Sequence, residues 1–408
     1  MGLPPPASYR ALALHVDGEA AARALRDVID QARASLDVCT FLLGHDPFGD
    51  AIAEALVRRA QDGVRVRLLV DGIGLLMGRR ASLAALAARG VQVERFVPPF
   101  RSPLRGRLNL RNHRKLVIAD RARMWCGGRN LAAEYFDAAP FEAAAGSLSG
   151  HGAFGAPRSP ARWRDLSFDL QGEAAEQAAV LFDADWRFAT RHGPGLRLPR
   201  RDAAGSAFAE HAVQAARAWA AEPAEPASAA RAQLVPSGPD YAEDTLHALL
   251  LTGCFRAQRR ILAVTPYLVP DDSLLSALTL AVRRGVDVEI VLPDRSNHRL
   301  ADLARRRAMR ELSAAGARLR LAPDMVHAKA VVFDDALALC GSANLDARSL
   351  FLNYELMLAF DAPHDVRRFE QAIEAIADGA RVWQPARADP GLPRRLAEGL
   401  VLWLAFQL

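Results

Sequence analysis

Of the 52 Lys and Arg residues in this 408-residue chain, only Lys115 and Lys329 are lysine. Each lies in the same pattern: His113-Arg-Lys115-Leu-Val-Ile-Ala-Asp120 and His327-Ala-Lys329-Ala-Val-Val-Phe-Asp334. A coding preference for Arg explains the depletion elsewhere, but not these two exceptions. An ammonium is a compact, rotatable point charge and a guanidinium a planar fork, so both positions read as sites that need the ammonium. In extended backbone, residues i and i+2 face the same way. His and Lys of each motif then point together, while Arg114 or Ala328 points opposite. Two imidazoles and two ammoniums around one point suit a phosphodiester. One imidazole can attack phosphorus while the other protonates the leaving oxygen. The ammoniums stabilise the charge of the transition state. No metal or other cofactor is required, because Lys supplies the positive charge.

Further residues join the set. Asn130 and Asn344 follow tight turns, Gly127-Gly-Arg-Asn130 and Gly341-Ser-Ala-Asn344, and add amide donors. Each His needs a carboxylate to fix its tautomer. The candidates are Asp165 and Glu355, each preceding an apolar, strand-like stretch; the alternative for each is a surface ion pair. Asp120 and Asp334 complete the motif and are candidates either for the catalytic set or for holding the turn at the strand end.

These positions belong to an internal repeat. His113 and His327, Lys115 and Lys329, Asp120 and Asp334, Cys126 and Cys340, and Asn130 and Asn344 are all 214 residues apart. So long a period implies two related domains rather than a solenoid. Each half alternates helix and strand. The first reads as helix 19–35, strand 36–43, helix 50–61, strand 64–70, helix 81–88, strand 91–96, then strands 113–118 and 124–126. The second repeats the order, with helices 242–256, 273–284 and 299–314 and strands 261–265, 286–292 and 318–321 before the second motif. Such alternation implies mainly parallel sheets flanked by helices. The expected division is a first half 1–200 with a mobile loop at about 137–162, a linker 201–230, a second half 231–385 and an amphipathic tail 386–408.

The net charge of +5 favours an anionic partner. Four cysteines without a CxxC pair argue against a zinc site and for a reducing compartment. No apolar run reaches the roughly 18 residues of a membrane span, and the N-terminus lacks the pattern of a signal peptide. The basic run Arg101, Arg105, Arg107 and Arg111 leads into the first motif and could bind an anionic headgroup. The tail, with Trp403 among its apolar residues, reads either as a helix packed on the core or as one lying in a membrane interface.

The duplicated His-x-Lys-x4-Asp, followed by Gly-Gly/Ser-x-Asn, resembles the phospholipase D superfamily. The likeness runs from about Leu12 to about Val382. Asn112-His-Arg-Lys115, Trp163-Arg-Asp165 and Ser342-Ala-Asn-Leu-Asp-Ala-Arg-Ser349 make the chain most similar to bacterial cardiolipin synthases, in the short branch without N-terminal membrane helices. That resemblance implies two homologous α-β-α sandwich halves with mixed, mostly parallel sheets and an active site at their interface. It further implies an enzyme that transfers a phosphatidyl group, through a phosphohistidine, to a headgroup hydroxyl such as that of phosphatidylglycerol. His113 would be the nucleophile and His327 the general acid/base. The partners would be anionic phospholipids at the cytoplasmic membrane surface, met peripherally. A phospholipase D-type hydrolase is the alternative. A nuclease fits less well, because a groove for nucleic acid needs stacking aromatics and none cluster near the motifs.

Overall fold

The computed structural model describes residues 3–77, 83–97, 110–136, 163–191, 230–239, 241 and 244–385. The expected loop at 137–162, the linker apart from Ala230, residues Arg101, Arg105 and Arg107, and the tail from 386 lie outside them.

Apolar strands bounded by turns build two large mixed sheets. Among the described residues the first has seven strands, in the order Arg10–His15, Ser167–Gln171, Arg123–Gly127, Leu116–Ala119, Ser35–Thr40, Arg65–Asp71 and Gln92–Phe96. The second has nine: Ala7–Ser8, Arg231–Ser237, Glu355–Phe360, Leu337–Gly341, Ala330–Phe333, Arg260–Val264, Asp287–Pro293, Arg318–Ala322 and Arg381–Val382. The repeat is visible in this order, since each motif strand stands between its hairpin partner and the first parallel strand of its half. Parallel pairing joins the last three long strands of each half. The hairpins add more antiparallel pairs than strict helix–strand alternation implies. Ala7–Ser8 pairs with Arg231–Ser237, so the first strand of the chain lies in the second sheet rather than with the half 1–200.

Helices cover the outer faces where their apolar stripes dictate. Gly18–Gln31 and Pro47–Gln61 bury Leu25, Val28, Ile52 and Leu56 on the first sheet. Asp17 and Asp46 cap their N-termini by accepting from the N–H groups of Ala20 and Gly49. Thr245–Arg256, Asp272–Arg283 and Arg299–Ala315 cover the second sheet. Between the sheets lie Glu173–Thr190 and Pro363–Ile376, two helices absent from the sequence reading. They fill a shared core with Phe96, Phe168, Tyr354 and Phe360. This inner layer fastens the halves together and fixes how the two motifs meet.

The motif aspartates belong to this framework. Asp120 (φ +53°) accepts from the backbone N–H groups of Arg33, Ala34 and Ser35 at 2.9, 2.7 and 2.8 Å. Asp334 (φ +52°) does the same for Gln258, Arg259 and Arg260 at 3.0, 2.8 and 2.9 Å. Asp tolerates the left-handed region better than most residues because its short side chain bonds locally. Each aspartate ties the end of the motif strand to the start of the neighbouring parallel strand. As members of the catalytic set both are corrected: they sit at the strand end away from the imidazoles and hold backbone of their own half.

Candidate active site

The His-x-Lys triplets are extended but precede the regular strands, which begin at Leu116 and Ala330. Each triplet is handed from one half to the other. Asn112 forms a parallel bridge with Tyr354, and the N–H of His113 donates to the Tyr354 carbonyl at 2.8 Å. Met325–Val326 pairs in parallel with Trp163–Arg164, and the N–H of His327 donates to the Arg164 carbonyl at 2.7 Å. The residue after each of these partners is a carboxylate. Parallel register therefore sets Glu355 beside His113 and Asp165 beside His327. Each imidazole is served by the acid of the opposite half, a choice that the sequence left open.

The two pairs differ in tightness. Nδ1 of His327 is 2.8 Å from Asp165 Oδ2. A carboxylate only accepts, so Nδ1 carries the proton and Nε2 is left for chemistry. The 2.8 Å approach of Lys329 Nζ to that same Nδ1 is then a charge contact, and the ammonium donates to the His327 carbonyl. Nδ1 of His113 is 3.2 Å from Glu355 Oε1, within ion-pair reach but off the line of a hydrogen bond. Glu355 is also held by Ser342 Oγ at 2.6 Å and by Asn353 Nδ2 at 3.1 Å. Lys115 Nζ donates to the His113 carbonyl at 2.6 Å, the counterpart of the Lys329 contact. The side chain of His113 is 23% exposed and that of His327 10%.

The walls are aromatic, which corrects the expectation that no aromatics cluster near the motifs and removes that argument against a nuclease. Phe41 meets His113 edge-on with ring centroids 4.6 Å apart, and its ring lies 5.8 Å from Lys115 Nζ. Tyr135 and Trp163 flank His327 at 5.0 and 5.6 Å. Asn130 and Asn344 are buried at the turns. Nδ2 of Asn130 faces the Tyr135 hydroxyl at 2.9 Å, and Oδ1 of each asparagine has no hydrogen-bond partner among the described residues. An amide reads the same when turned by 180°; with Tyr135 donating to Oδ1, Nδ2 is free for a phosphate oxygen.

Glycines admit these groups. A Cβ on Gly127 would lie 2.5 Å from the Leu166 carbonyl oxygen, and one on Gly341 2.1 Å from that of Leu356. The strands that carry the acids therefore approach as closely as they do only because these positions lack side chains.

Charge in the site is balanced by burial. Both lysines and both acids are at most 2% exposed. Burial pushes His113 down to about 4 and His327 down to about 3; Lys115 and Lys329 add to the effect, while Glu355 and Asp165 oppose it. Burial also brings Lys329 down to about 7, against the pull of Asp165, and lowers Lys115. Burial alone would raise Asp165 and Glu355, but the facing histidines and lysines hold both below the usual carboxylate range. Two ammoniums then face two carboxylates with both imidazoles neutral. A bound phosphodiester adds one negative charge, which a protonated imidazole balances. Among the described residues no group of three or more His, Cys, Asp or Glu is placed to hold a metal ion.

Sequence reasoning missed Phe41, Tyr135, Ser342, Asn353 and the buried Arg114 and Arg129. Ser342 and Arg129 sat inside the quoted turn motifs and were passed over. Phe41 had no local signal.

The family model described as "Cardiolipin synthase, PLD-like domain" matches residues 25–144 and 254–377, one match on each half. This chain belongs to that family. Members similar to it include Cardiolipin synthase A of Pseudomonas entomophila (strain L48), 32% identical over 369 residues, or 90% of this chain and 68% of the relative. Cardiolipin synthase A of Pseudomonas putida (strain W619) is 33% identical over 346 residues, or 85% of this chain and 64% of the relative. The chain thus spans about two thirds of the length of these family members. The fold is shared with phosphatidylserine synthase of Haemophilus influenzae Rd KW20, at a TM-score of 0.66 and 16% identity over 99% of this chain and 96% of that one. Among the described residues of this family member, no helix is long and apolar enough to cross a membrane.

Proposed function

We infer that this chain is a phosphatidyltransferase that moves a phosphatidyl group, through a phosphohistidine on His113, to a phospholipid headgroup hydroxyl such as that of phosphatidylglycerol. The crossed dyads carry the reading: two imidazoles, each backed by a buried carboxylate from the other half, converge with two buried ammoniums. Relatives named cardiolipin synthase support the choice of a lipid phosphodiester.

The chemistry follows from which nitrogen is free. Nδ1 of each imidazole faces its acid, so Nε2 faces the cleft. In the first step the Nε2 lone pair of His113 forms a bond to phosphorus and the P–O bond to the donor headgroup breaks. Nε2–H of His327 gives its proton to the departing oxygen, leaving a free headgroup alcohol. In the second step Nε2 of His327 takes the proton of the incoming hydroxyl, whose oxygen bonds to phosphorus as the N–P bond breaks. Lys115 and Lys329 face the non-bridging oxygens, with Asn130 and Asn344 as further donors. Asp165 and Glu355 hold each tautomer and stabilise the imidazolium. His113 suits the nucleophile, which must reach phosphorus: it is the more exposed and more loosely held imidazole. His327, enclosed by Tyr135 and Trp163, suits the proton carrier. The substrates are anionic phospholipids, drawn from the cytoplasmic face of the membrane by an enzyme bound at its surface.

The experiment is mass spectrometry of lipids from cells expressing the wild type or His113→Ala. Cardiolipin that rises with the wild type alone is the expected result. Phosphatidic acid accumulating instead means water is the acceptor, and no change in any phospholipid refutes the proposed substrate.

A further inference from the structure

Two arginines of the first half are buried almost completely, Arg114 at 1% and Arg129 at 0% exposure. Arg114 is the middle residue of His-x-Lys, and Arg129 the variable residue of Gly-Gly-x-Asn. The second half has alanine at both places, Ala328 and Ala343. As the strand alternation demands, Arg114 points away from the cleft into the layer between the sheets. There Nε donates to the Glu355 carbonyl at 3.0 Å, Nη2 to the Ser237 carbonyl at 3.1 Å and Nη1 to Asp185 at 2.5 Å. Arg129 donates from Nη2 to the carbonyls of Asp165 at 2.9 Å and Val16 at 2.7 Å, and from Nε to that of Tyr135 at 2.9 Å. Its Nη1 reaches the His15 carbonyl at 2.8 Å and Ser167 Oγ at 3.2 Å.

The targets repeat. Each guanidinium holds the main-chain carbonyl of the residue whose carboxylate backs a histidine. We propose that Arg114 and Arg129 are positioning residues of the transfer reaction, Arg114 setting Glu355 against His113 and Arg129 setting Asp165 against His327. The claim rests on the two-step reading above.

The geometry explains why this grip matters. In each dyad two successive carbonyls are held. The His113 N–H takes that of Tyr354 and Arg114 that of Glu355; the His327 N–H takes that of Arg164 and Arg129 that of Asp165. The root of each carboxylate is thereby fixed in the frame of the imidazole it must meet. Only a forked, five-donor group can bind one of these carbonyls while tied to other segments. A lysine there keeps the charge and loses the fork. The sequence has it the other way round in the cleft, with ammoniums facing the substrate and guanidiniums behind.

A purely structural role predicts lost stability and equal slowing of both steps. Positioning predicts damage to one step at a time. The test uses Arg114→Lys and Arg129→Lys with a soluble phosphodiester whose good leaving group needs no acid. Rapid mixing reads the leaving-group burst, which is adduct formation on His113, and the steady state reads its resolution by His327. For Arg114→Lys the burst should slow by about tenfold to a hundredfold, the cost of a misplacement near 1 Å. For Arg129→Lys the burst should stay near wild type while the steady state slows by a similar factor. Arg260→Lys, in a multiply bonded cluster with Glu370 and Glu374 at the far end of its strand, should change neither. Folded variants that slow both phases alike, or neither, overturn the proposal. Asp185→Asn weakens one charge-assisted anchor of Arg114, and with it the Asn112 Nδ2 contact, and Ser167→Ala removes one anchor of Arg129; both arginines stay in place. They should give the same split more weakly, and they decide the question where a lysine variant does not fold. If the wild type shows no burst and no label on His113, it is the two-step reading that fails.

Discussion

Replacing Gly128 by Ala forces a methyl group into Asp165. A Cβ at position 128 would lie 2.1 Å from Asp165 Oδ1 and 2.9 Å from its Cγ, where real contacts begin near 3.0 Å. Something must move by about 1 Å, and neither side is free. The carboxylate is held by the N–H of Leu166 at 2.7 Å and by His327 at 2.8 Å. The backbone at 128 is held by the Leu166 carbonyl at 3.0 Å, and Gly127 beside it has no room to shift. The movement therefore falls on the Asp165–His327 bond, which stretches or swings off line. A misplacement near 1 Å costs about a hundredfold in rate, whereas overpacking costs about 1–3 kcal/mol of stability. The expected enzyme is folded, somewhat less stable, forms the adduct at close to the normal rate and resolves it about a hundredfold more slowly. Gly63→Ala is the control. Its Cβ meets nothing within 4 Å, but its φ of +87° strains an alanine, so stability should fall without loss of rate. The assay is the burst and steady state with a chromogenic phosphodiester, alongside thermal unfolding. A folded Gly128→Ala enzyme with both phases within about threefold of wild type would refute the reasoning, because a 1 Å error at a working Asp–His pair is not that cheap.

Lys115→Arg and Lys329→Arg should each lose about two orders of magnitude in kcat, comparable to losing one transition-state donor. Both lysines are almost fully buried, so a larger planar fork must be fitted among packed neighbours, and near-normal rates in either variant would mean that an ammonium is not required. The pH dependence of kcat/KM should have two limbs. It rises towards about 4 as His113 sheds the proton that blocks attack, declines above that because the reacting form also needs a proton on His327, and declines more steeply past about 7 as Lys329 loses the charge that meets the phosphate. Bound substrate favours the ammonium, so the alkaline limb of kcat should lie higher than that of kcat/KM. A kcat/KM profile whose fall does not steepen by about pH 9 contradicts the role given to Lys329.

Much of this was legible because the chemistry is concentrated in local patterns. The lysine count alone pointed to two positions, and the 214-residue offset joined them into one site. The outer helices were readable from their stripes; Arg299–Ala315, for example, has a strongly two-faced sequence. Of the inner helices, Pro363–Ile376 carries as clear a stripe in Val366, Phe369, Ile373 and Ile376 and was passed over, whereas Glu173–Thr190 was not readable. Glu173–Thr190 buries Ala174, Ala175, Ala178 and Ala179, and alanines carry too little hydrophobic contrast to mark a face. Asp120 and Asp334 were left open between the catalytic set and the strand-end turn, and their bonds to backbone N–H groups favour the turn. Their place in the motif invites a catalytic reading, but a strand of four residues carries them about 13 Å from its start. What they bond to at that distance is backbone far away in sequence.

The crossing of the dyads could not have been read at all, because it depends on one register. Asp165 reaches His327 because Trp163–Arg164 pairs in step with Met325–Val326, and Glu355 reaches His113 because Tyr354 bridges Asn112. A slip of one residue would turn the acid to the other face of its strand and leave a buried lysine without its counter-charge. Neither strand pair is long enough to fix that register on its own, at two residues and a single bridge. It is held instead by what surrounds it: the two inner helices, the glycines at 127 and 341 that let the strands close, and the carbonyl contacts of Arg114 and Arg129. Each half carries one histidine and the acid for the other, so neither half contains a complete dyad. Activity should therefore require the two halves in one folded unit.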